Sequence, residues 1–333
     1  MGAEDLVAAL LGAALIAYAI LGGADFGGGI WDLFALGPRA QQQRRVIADA
    51  MGPVWEANHV WLIFVIVLVF SCFPRAFEVL SIVLFVPFHL ALLGIVLRGA
   101  AFVFRAYARR PSEARGWAVV FRIGSVITPP LLGMALGAVS NGTIHVAADG
   151  GITTAGGPPW LAASSLAIGA LTLALCAYLA AVFLANETGG ELRDDFRRRA
   201  FAAGTVVVGL SILTLPVLRL HVPHLWEGLV GGRATPIFAA GTLAALASGL
   251  FLLVRRHRLA RIAAVTQISC LVAGWGVAQY PYLIFPDLTI EAAAAPPATL
   301  RFILLSAPIG LALLIPSLWF LFAVFKGEHF GAE

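Results

Sequence analysis

The sequence predicts an all-α, polytopic membrane protein of about nine transmembrane helices. Three observations carry this reading. Of the 333 residues, 60% are apolar and only 12% are charged, against about 25% charged in ordinary soluble domains. The apolar residues fall in long runs, close to the ~20 residues that a bilayer core requires of a spanning helix. The loops between those runs alternate between arginine-rich and arginine-poor. With a mean hydropathy of +0.91, disorder, a collagen-like or coiled-coil rod and a soluble enzyme are excluded. Helices are the expected form because the bilayer core leaves no water for unpaired backbone groups. A barrel would need short alternating segments, and VWLIFVIVLVF does not alternate. A single integral-membrane domain over 1–333 is expected.

Nine segments are marked, at about 4–31, 52–73, 77–107, 116–139, 160–186, 200–220, 234–254, 260–281 and 300–326. The first opens on the acidic stretch MGAEDLVAALL, without the positive start of a cleaved signal peptide, so it reads as a retained helix. Its second half, ADFGGGIWDL, is glycine-rich. The second carries GPVWEANHVW before its apolar run. The third begins within FPRAFEVLS and holds Pro87, His89 and Arg98. The fourth contains Arg122 and the proline pair of ITPP. The fifth begins at Trp160, and the sixth ends in HVPH. The seventh and eighth flank the basic run from Arg255 to Arg261, and the ninth runs from Arg301 to Lys326. GSVITPP in the fourth and GLSILTLP in the sixth look alike but do not amount to an internal repeat. Trp31, Trp55, Trp117, Trp160 and Trp226 fall at segment ends, where indole favours the headgroup level.

Orientation follows from the charges. With the N-terminus outside, 16 of the 22 Lys and Arg residues lie in inner loops and four (Arg75, Arg219, Arg233, Arg301) in outer ones. That skew fits the positive-inside rule and sets the C-terminus in the cytoplasm. The longest outer connections, 140–159 and 282–299, are rich in Gly, Ala and Pro. A pI near 9.3 does not point to nucleic acid, because the basic residues sit in short runs between apolar segments rather than on one folded face. Cys72, Cys176 and Cys270 form no CxxC pair and read as small buried hydrophobes. No nucleotide-binding loop, dinucleotide fingerprint or GxSxG nucleophile motif is present.

Ionisable residues inside apolar segments need a partner or a task, since each costs about 2.5–3.5 kcal/mol at mid-bilayer on insertion scales. Asp25, Glu56 and Arg98 lie roughly 9, 6 and 14 Å from the inner ends of the first three helices at 1.5 Å per residue. Helices joined by short loops are usually neighbours, so the three are expected to meet in the inner half of the membrane. His59, at i+3 from Glu56, can share its face. Two readings stay open. Arg98 can neutralise Asp25 or Glu56 and pin the helices together. Alternatively the group admits protons from the cytoplasm, because a carboxyl in a low dielectric can carry a proton near neutral pH. Gly22, Gly23, Gly27, Gly28 and Gly29 permit close helix approach or loosen the helix for water. His89 is a mid-depth candidate for a haem ligand, although a lone intramembrane histidine is more often bonded to a neighbour. Pro223 separates His221 from His224 and spoils a regular metal-binding face. Arg122 can snorkel inward, and Met51 and Met134 suggest no ligand set.

Several stretches carry a resemblance. GPVWEANHVWLI, ADFGGGIWDL, FPRAFEVLS, LRGAAFVFR, ITPPLLGMALG, GWGVAQYPYLIFPDLTI, AAPPATLR and WFLFAVFKG are similar to subunit II of cytochrome bd-type quinol oxidases, from about residue 5 to 327. The resemblance implies two four-helix bundles plus one peripheral helix, in the bacterial cytoplasmic membrane. It implies a partner, subunit I, that holds haem b, haem d and the quinol-oxidising site. The complex would be an electrogenic quinol:O2 oxidoreductase that reduces O2 to water with protons from the cytoplasm. Subunit II contributes no haem ligand in the family, so none is expected from His89 and no metal site is expected. Some relatives hold a structural quinone, to which no residue here is assigned. A small accessory subunit is a further partner for which the resemblance leaves room.

By resemblance, Glu56 falls on an acid associated with a proton pathway, Asp25 on the acid of the first-helix motif, and Arg98 on the arginine closing the third helix. The chain departs from the pattern at Gly22 and Ala118, where many members carry acids, so a route through those acids would be rebuilt here, with His59 or water. The alternatives are a proton-coupled secondary transporter using the same charges, or a purely structural assembly subunit. The transporter is disfavoured by the missing repeat and the one-sided position of the cluster.

Overall fold

The computed structural model describes residues 2–147 and 149–327; positions 1, 148 and 328–333 of the expected 1–333 domain, and the side chains at 51, 53, 106, 322 and 325–327, Met51 and Lys326 among them, lie outside the described residues. Among the described residues nine helices are long and apolar enough to cross a membrane. In chain order the helices are α1 (Ala3–Leu33), α2 (Ala40–Cys72), α3 (Pro74–Val83), α4 (Phe85–Tyr107), α5 (Pro111–Ala138), α6 (Ala163–Glu187), α7 (Gly190–His221), α8 (Pro223–Val230), α9 (Thr235–Leu253), α10 (His257–Gln279), α11 (Ile290–Ala293) and α12 (Pro297–Gly327). Two hairpins lie between them: β1 (Ile144–Val146) with β2 (Ile152–Thr154), and β3 (Tyr282–Ile284) with β4 (Leu288–Thr289), both antiparallel.

The breaks follow local chemistry. The expected third span is two helices, α3 and α4, because Pro87 has no N–H for the Val83 carbonyl and its ring would clash there. Leu84 takes the non-helical conformation between them. Pro74 opens α3 and Pro223 opens α8 at first-turn positions, where a missing N–H loses nothing. Val222, just before Pro223, leaves the helical conformation (φ −140°, ψ 61°), which the following proline disfavours. α2 and α7 start well before their apolar stretches, at Ala40 and Gly190, so they carry their arginines into the interface.

α1, α2, α4 and α5 pack as one bundle, and α6, α7, α9 and α10 as a second; α1, α5 and α6 form the seam between them. α12 leans on α1 and α2, and none of its apolar window is buried. The seam is tight because α1 lacks side chains where it crosses α6. A Cβ on Gly27 would lie 2.0 Å from the Cys176 carbonyl oxygen, and one on Gly29 would lie 2.3 Å from the Cβ of Ser125 on α5. In the second bundle the Tyr178 hydroxyl donates to Ser248 Oγ (2.6 Å), which donates to the Ala260 carbonyl (2.9 Å), tying α6, α9 and α10 together. At the end opposite the arginine-rich loops, both long connections fold into hairpins rather than plain loops. A parallel bridge from Ile144 to Pro286 joins them.

Candidate functional site

Each helix of the first bundle contributes one buried polar residue to a single cluster: Asp25 from α1, Asn58 from α2, Arg98 from α4 and Ser125 from α5. The Arg98 guanidinium meets the Asp25 carboxylate as a fork, Nη1 to Oδ2 at 2.5 Å and Nη2 to Oδ1 at 2.6 Å. Nη2 also donates to the Asp25 carbonyl (2.8 Å), and Nε donates to Ser125 Oγ (2.8 Å). The Ser125 hydroxyl donates in turn to the Phe121 carbonyl (2.7 Å), and Asn58 Nδ2 donates to Asp25 Oδ2 (2.8 Å). The guanidinium is sandwiched by Phe26 and Phe121, 5.1 and 4.8 Å from their ring centres. A planar fork on a carboxylate, with every nitrogen occupied, is the arrangement in which a buried ion pair offsets its desolvation.

A second pair sits two turns closer to the arginine-rich end. Asp32 is buried and accepts from Arg122 Nε (2.6 Å) and Arg105 Nη1 (3.3 Å). Arg122 therefore pairs inside the bundle rather than only snorkelling. The signal was in the sequence: Asp25 and Asp32 are seven residues apart on α1, as Arg98 and Arg105 are on α4. Two such steps on packed helices give two rungs of one ladder.

The expected meeting of Asp25, Glu56 and Arg98 is only partly realised. Asp25 and Arg98 join, but Glu56 is exposed on the outer face of α2. The reason is angular. Asn58 faces Asp25, and a residue two positions away on a helix points about 200° around the axis. The inward polar group of the WEAN stretch is thus Asn58, which sequence reasoning passed over. Among the described residues Glu56 has no hydrogen-bond or ionic partner. His59 is half-buried; its Nδ1 donates to the Trp55 carbonyl (2.7 Å) and its ring meets Trp55 edge-on, 4.9 Å between centres. Trp55 packs over Gly99, next to Arg98, 3.1 Å from where a Cβ would stand. The departures from the family pattern are both buried, Gly22 against the Tyr18 ring and Ala118 in α5.

The remaining candidates lie apart. His89 is on an exposed face of α4, its Nδ1 donating to the Phe85 carbonyl (2.7 Å) and its ring against Phe85 at 3.9 Å. His221 ends α7 while His224 belongs to α8, where it stacks on Phe285 at 3.5 Å. Burial pulls the His224 pKa below its ordinary value, against the opposing influence of Gln279 and Glu227. Among the described residues no group of three or more His, Cys, Asp or Glu side chains could hold a metal.

Fold and site together define a multi-pass helical membrane protein whose first bundle is clamped by a buried ion-pair ladder. Residues 3–325 match the family described as cytochrome bd terminal oxidase subunit II. The chain belongs to that family and is a subunit of an oxidoreductase complex that carries haems. It is similar to the putative cytochrome bd menaquinol oxidase subunit II of Bacillus subtilis (strain 168), 23% identical over 322 residues, covering 93% of this chain and 92% of the relative. It is also similar to the cytochrome bd ubiquinol oxidase subunit 2 of the same organism, 30% identical over 197 residues, 59% of this chain and 57% of the relative. The solved bd oxidase from Geobacillus thermodenitrificans shares the fold, with a TM-score of 0.83 at 24% identity over 98% of this chain and 99% of that one.

Proposed function

We propose that the chain is the scaffold subunit of a quinol:O2 oxidoreductase, packed against a haem-bearing subunit I, and that it admits protons to the complex through Glu56 and His59. Two molecules of quinol reduce one O2 to two waters, and the four protons consumed at the haem side must enter through protein. Structural and proton roles then fall to different residues. Asp25, with its carboxylate held by Arg98 and Asn58, serves as the clamp. Glu56 is the acid left with room to exchange a proton, two positions into the span that begins at Val54. The observation that carries this reading is that Glu56 stands exposed and unpartnered among the described residues at membrane depth. A bare carboxylate against lipid would be unfavourable, so a wet seam with a partner subunit is the surface that suits it. His59, with Nδ1 engaged as a donor, has Nε2 to accept a proton and relay it.

The experiment is Glu56→Gln in the intact complex. Quinol-dependent O2 consumption should fall by about ten-fold or more, as for loss of a positioned proton carrier, with haem absorption unchanged. Wild-type turnover with full haem content ends the proton role; loss of haem makes Glu56 structural. An accessory subunit has the exposed face of α12 to pack against.

A further inference from the structure

At the arginine-rich end, away from the ion-pair ladder, the α1–α2 connection closes over the start of α7 and leaves a cavity of about 270 Å³. Its polar lining is Arg39, Gln43, Asp195, Arg198 and Arg199. The single carboxylate is already taken: Arg39 holds both Asp195 oxygens at 2.8 Å, and Gln43 Nε2 adds a third contact at 3.0 Å. Arg39 Nη1 is drawn outward to Glu191 (2.8 Å). Arg199 has no carboxylate of its own. Its Nη2 donates to the Phe34 carbonyl (2.9 Å) and to Gln43 Oε1 (2.7 Å), and its guanidinium lies over Trp31 and Phe196, 5.2 and 5.4 Å from the ring centres. These contacts fix the cation, yet its Nη1 is buried with no acceptor. Arg198 reaches Asp195 only at 3.6 Å, and its side chain is 75% exposed.

We infer that this cavity binds the phosphate group of an anionic phospholipid headgroup. Three guanidiniums meet Asp195 and, through Arg39, Glu191, so the cavity keeps a net positive charge. Arg198, largely exposed, and Arg199, which has no carboxylate of its own, both line this space, and arginine matches phosphate in geometry. The lip is apolar and open, with Leu33, Phe34 and Leu36 exposed at the end of α1. A tail attached to the phosphate has a surface to lie along there, which a free anion would not use. Basic pockets between helices at the membrane surface bind such headgroups. The same chemistry serves whichever leaflet this end faces.

The test measures lipid binding to the delipidated, intact oxidase by native mass spectrometry, with phosphatidylglycerol, phosphatidylcholine and inorganic phosphate as separate probes. Arg198→Gln leaves the loop contacts in place and should weaken phosphatidylglycerol binding about five-fold, the factor set by ~1 kcal/mol per arginine. Arg199→Gln should weaken it further. Phosphatidylcholine carries its phosphate beside a cationic choline, so it should bind wild type more weakly than phosphatidylglycerol and lose less in both variants, and Arg258→Gln, which removes an exposed arginine elsewhere at this end, should match wild type. If inorganic phosphate competes with the lipid and Arg198→Gln abolishes the competition, the phosphate itself is the recognised group. If it fails to compete while the lipid binds, the tail is required; both outcomes support the site. Equal phosphatidylglycerol binding by wild type, Arg198→Gln and Arg258→Gln overturns it. The readout is lipid binding, so a failure here leaves the proton role of Glu56 untouched.

Discussion

A buried charge is held in place by what surrounds it, and the Asp25–Arg98 pair gives a measurable case. Removing one partner strands the other in a low dielectric; removing both does not. Arg98→Leu should destabilise the subunit by about 3–5 kcal/mol, and Asp25→Leu combined with Arg98→Leu should recover a large part of that loss. Thermal unfolding of the purified complex checks both, and an unaffected Arg98→Leu protein would sink the clamp. This pair was legible in the sequence because intramembrane charges demand partners. Glu56 was misplaced because depth along a helix is easier to read than angle around it, and the angle of α2 is set in the fold by the Asn58–Asp25 contact and by the buried Val54, Ala57 and Leu68. Asp32 was missed since it lies at a helix end, where an acid is cheaply solvated. Its seven-residue spacing from Asp25, matched by Arg105 and Arg98 on α4, would have exposed it.

Among the elements, close approach of α1 and α6 holds the two bundles together, and it depends on a missing Cβ. Gly27→Ala places a methyl carbon 2.0 Å from the backbone oxygen of Cys176, an obstacle that no rotamer change removes. The expected loss is about 1–3 kcal/mol. Gly12 on the same helix has open space around its Cβ position, so Gly12→Ala should be neutral or add up to about 1 kcal/mol through helix propensity. A pair of melting curves with these opposite signs supports the seam; equal shifts would mean that the bundles do not rely on it. The spans themselves were readable because hydrocarbon selects for length and apolarity. Their ends were not, since α2 and α7 continue into polar sequence once a packed neighbour supports them. The hairpins β1–β2 and β3–β4 were invisible for a related reason: strands of two or three residues are too short for any alternation, and they exist by pairing with each other.

For the whole molecule, the direction of insertion decides what the site can do. The exposed Glu56 and the arginine-lined cavity both lie toward the end that carries the Arg39–Arg45, Arg105–Arg115, Arg193–Arg199 and Arg255–Arg261 runs. The hairpins cap the other end. If the arginine runs face the cytoplasm, as the positive-inside rule predicts, Glu56 draws protons from the side where their consumption builds the transmembrane gradient. Inverted insertion would turn the same acid into a short circuit, taking protons from the side where quinol releases them. The two are separable by labelling intact cells with a membrane-impermeant maleimide. Ala155→Cys, in the exposed connection that closes the first hairpin, should react before the cells are broken. Arg258→Cys should react only afterwards. Cys72 and Cys176 are buried and Cys270 is half-buried, so the unsubstituted chain sets the background. Reaction of Arg258→Cys in intact cells, with Ala155→Cys protected, would reverse the topology and with it the direction of proton entry through Glu56. The ion-pair ladder, which is internal to the first bundle, would keep its role in either orientation.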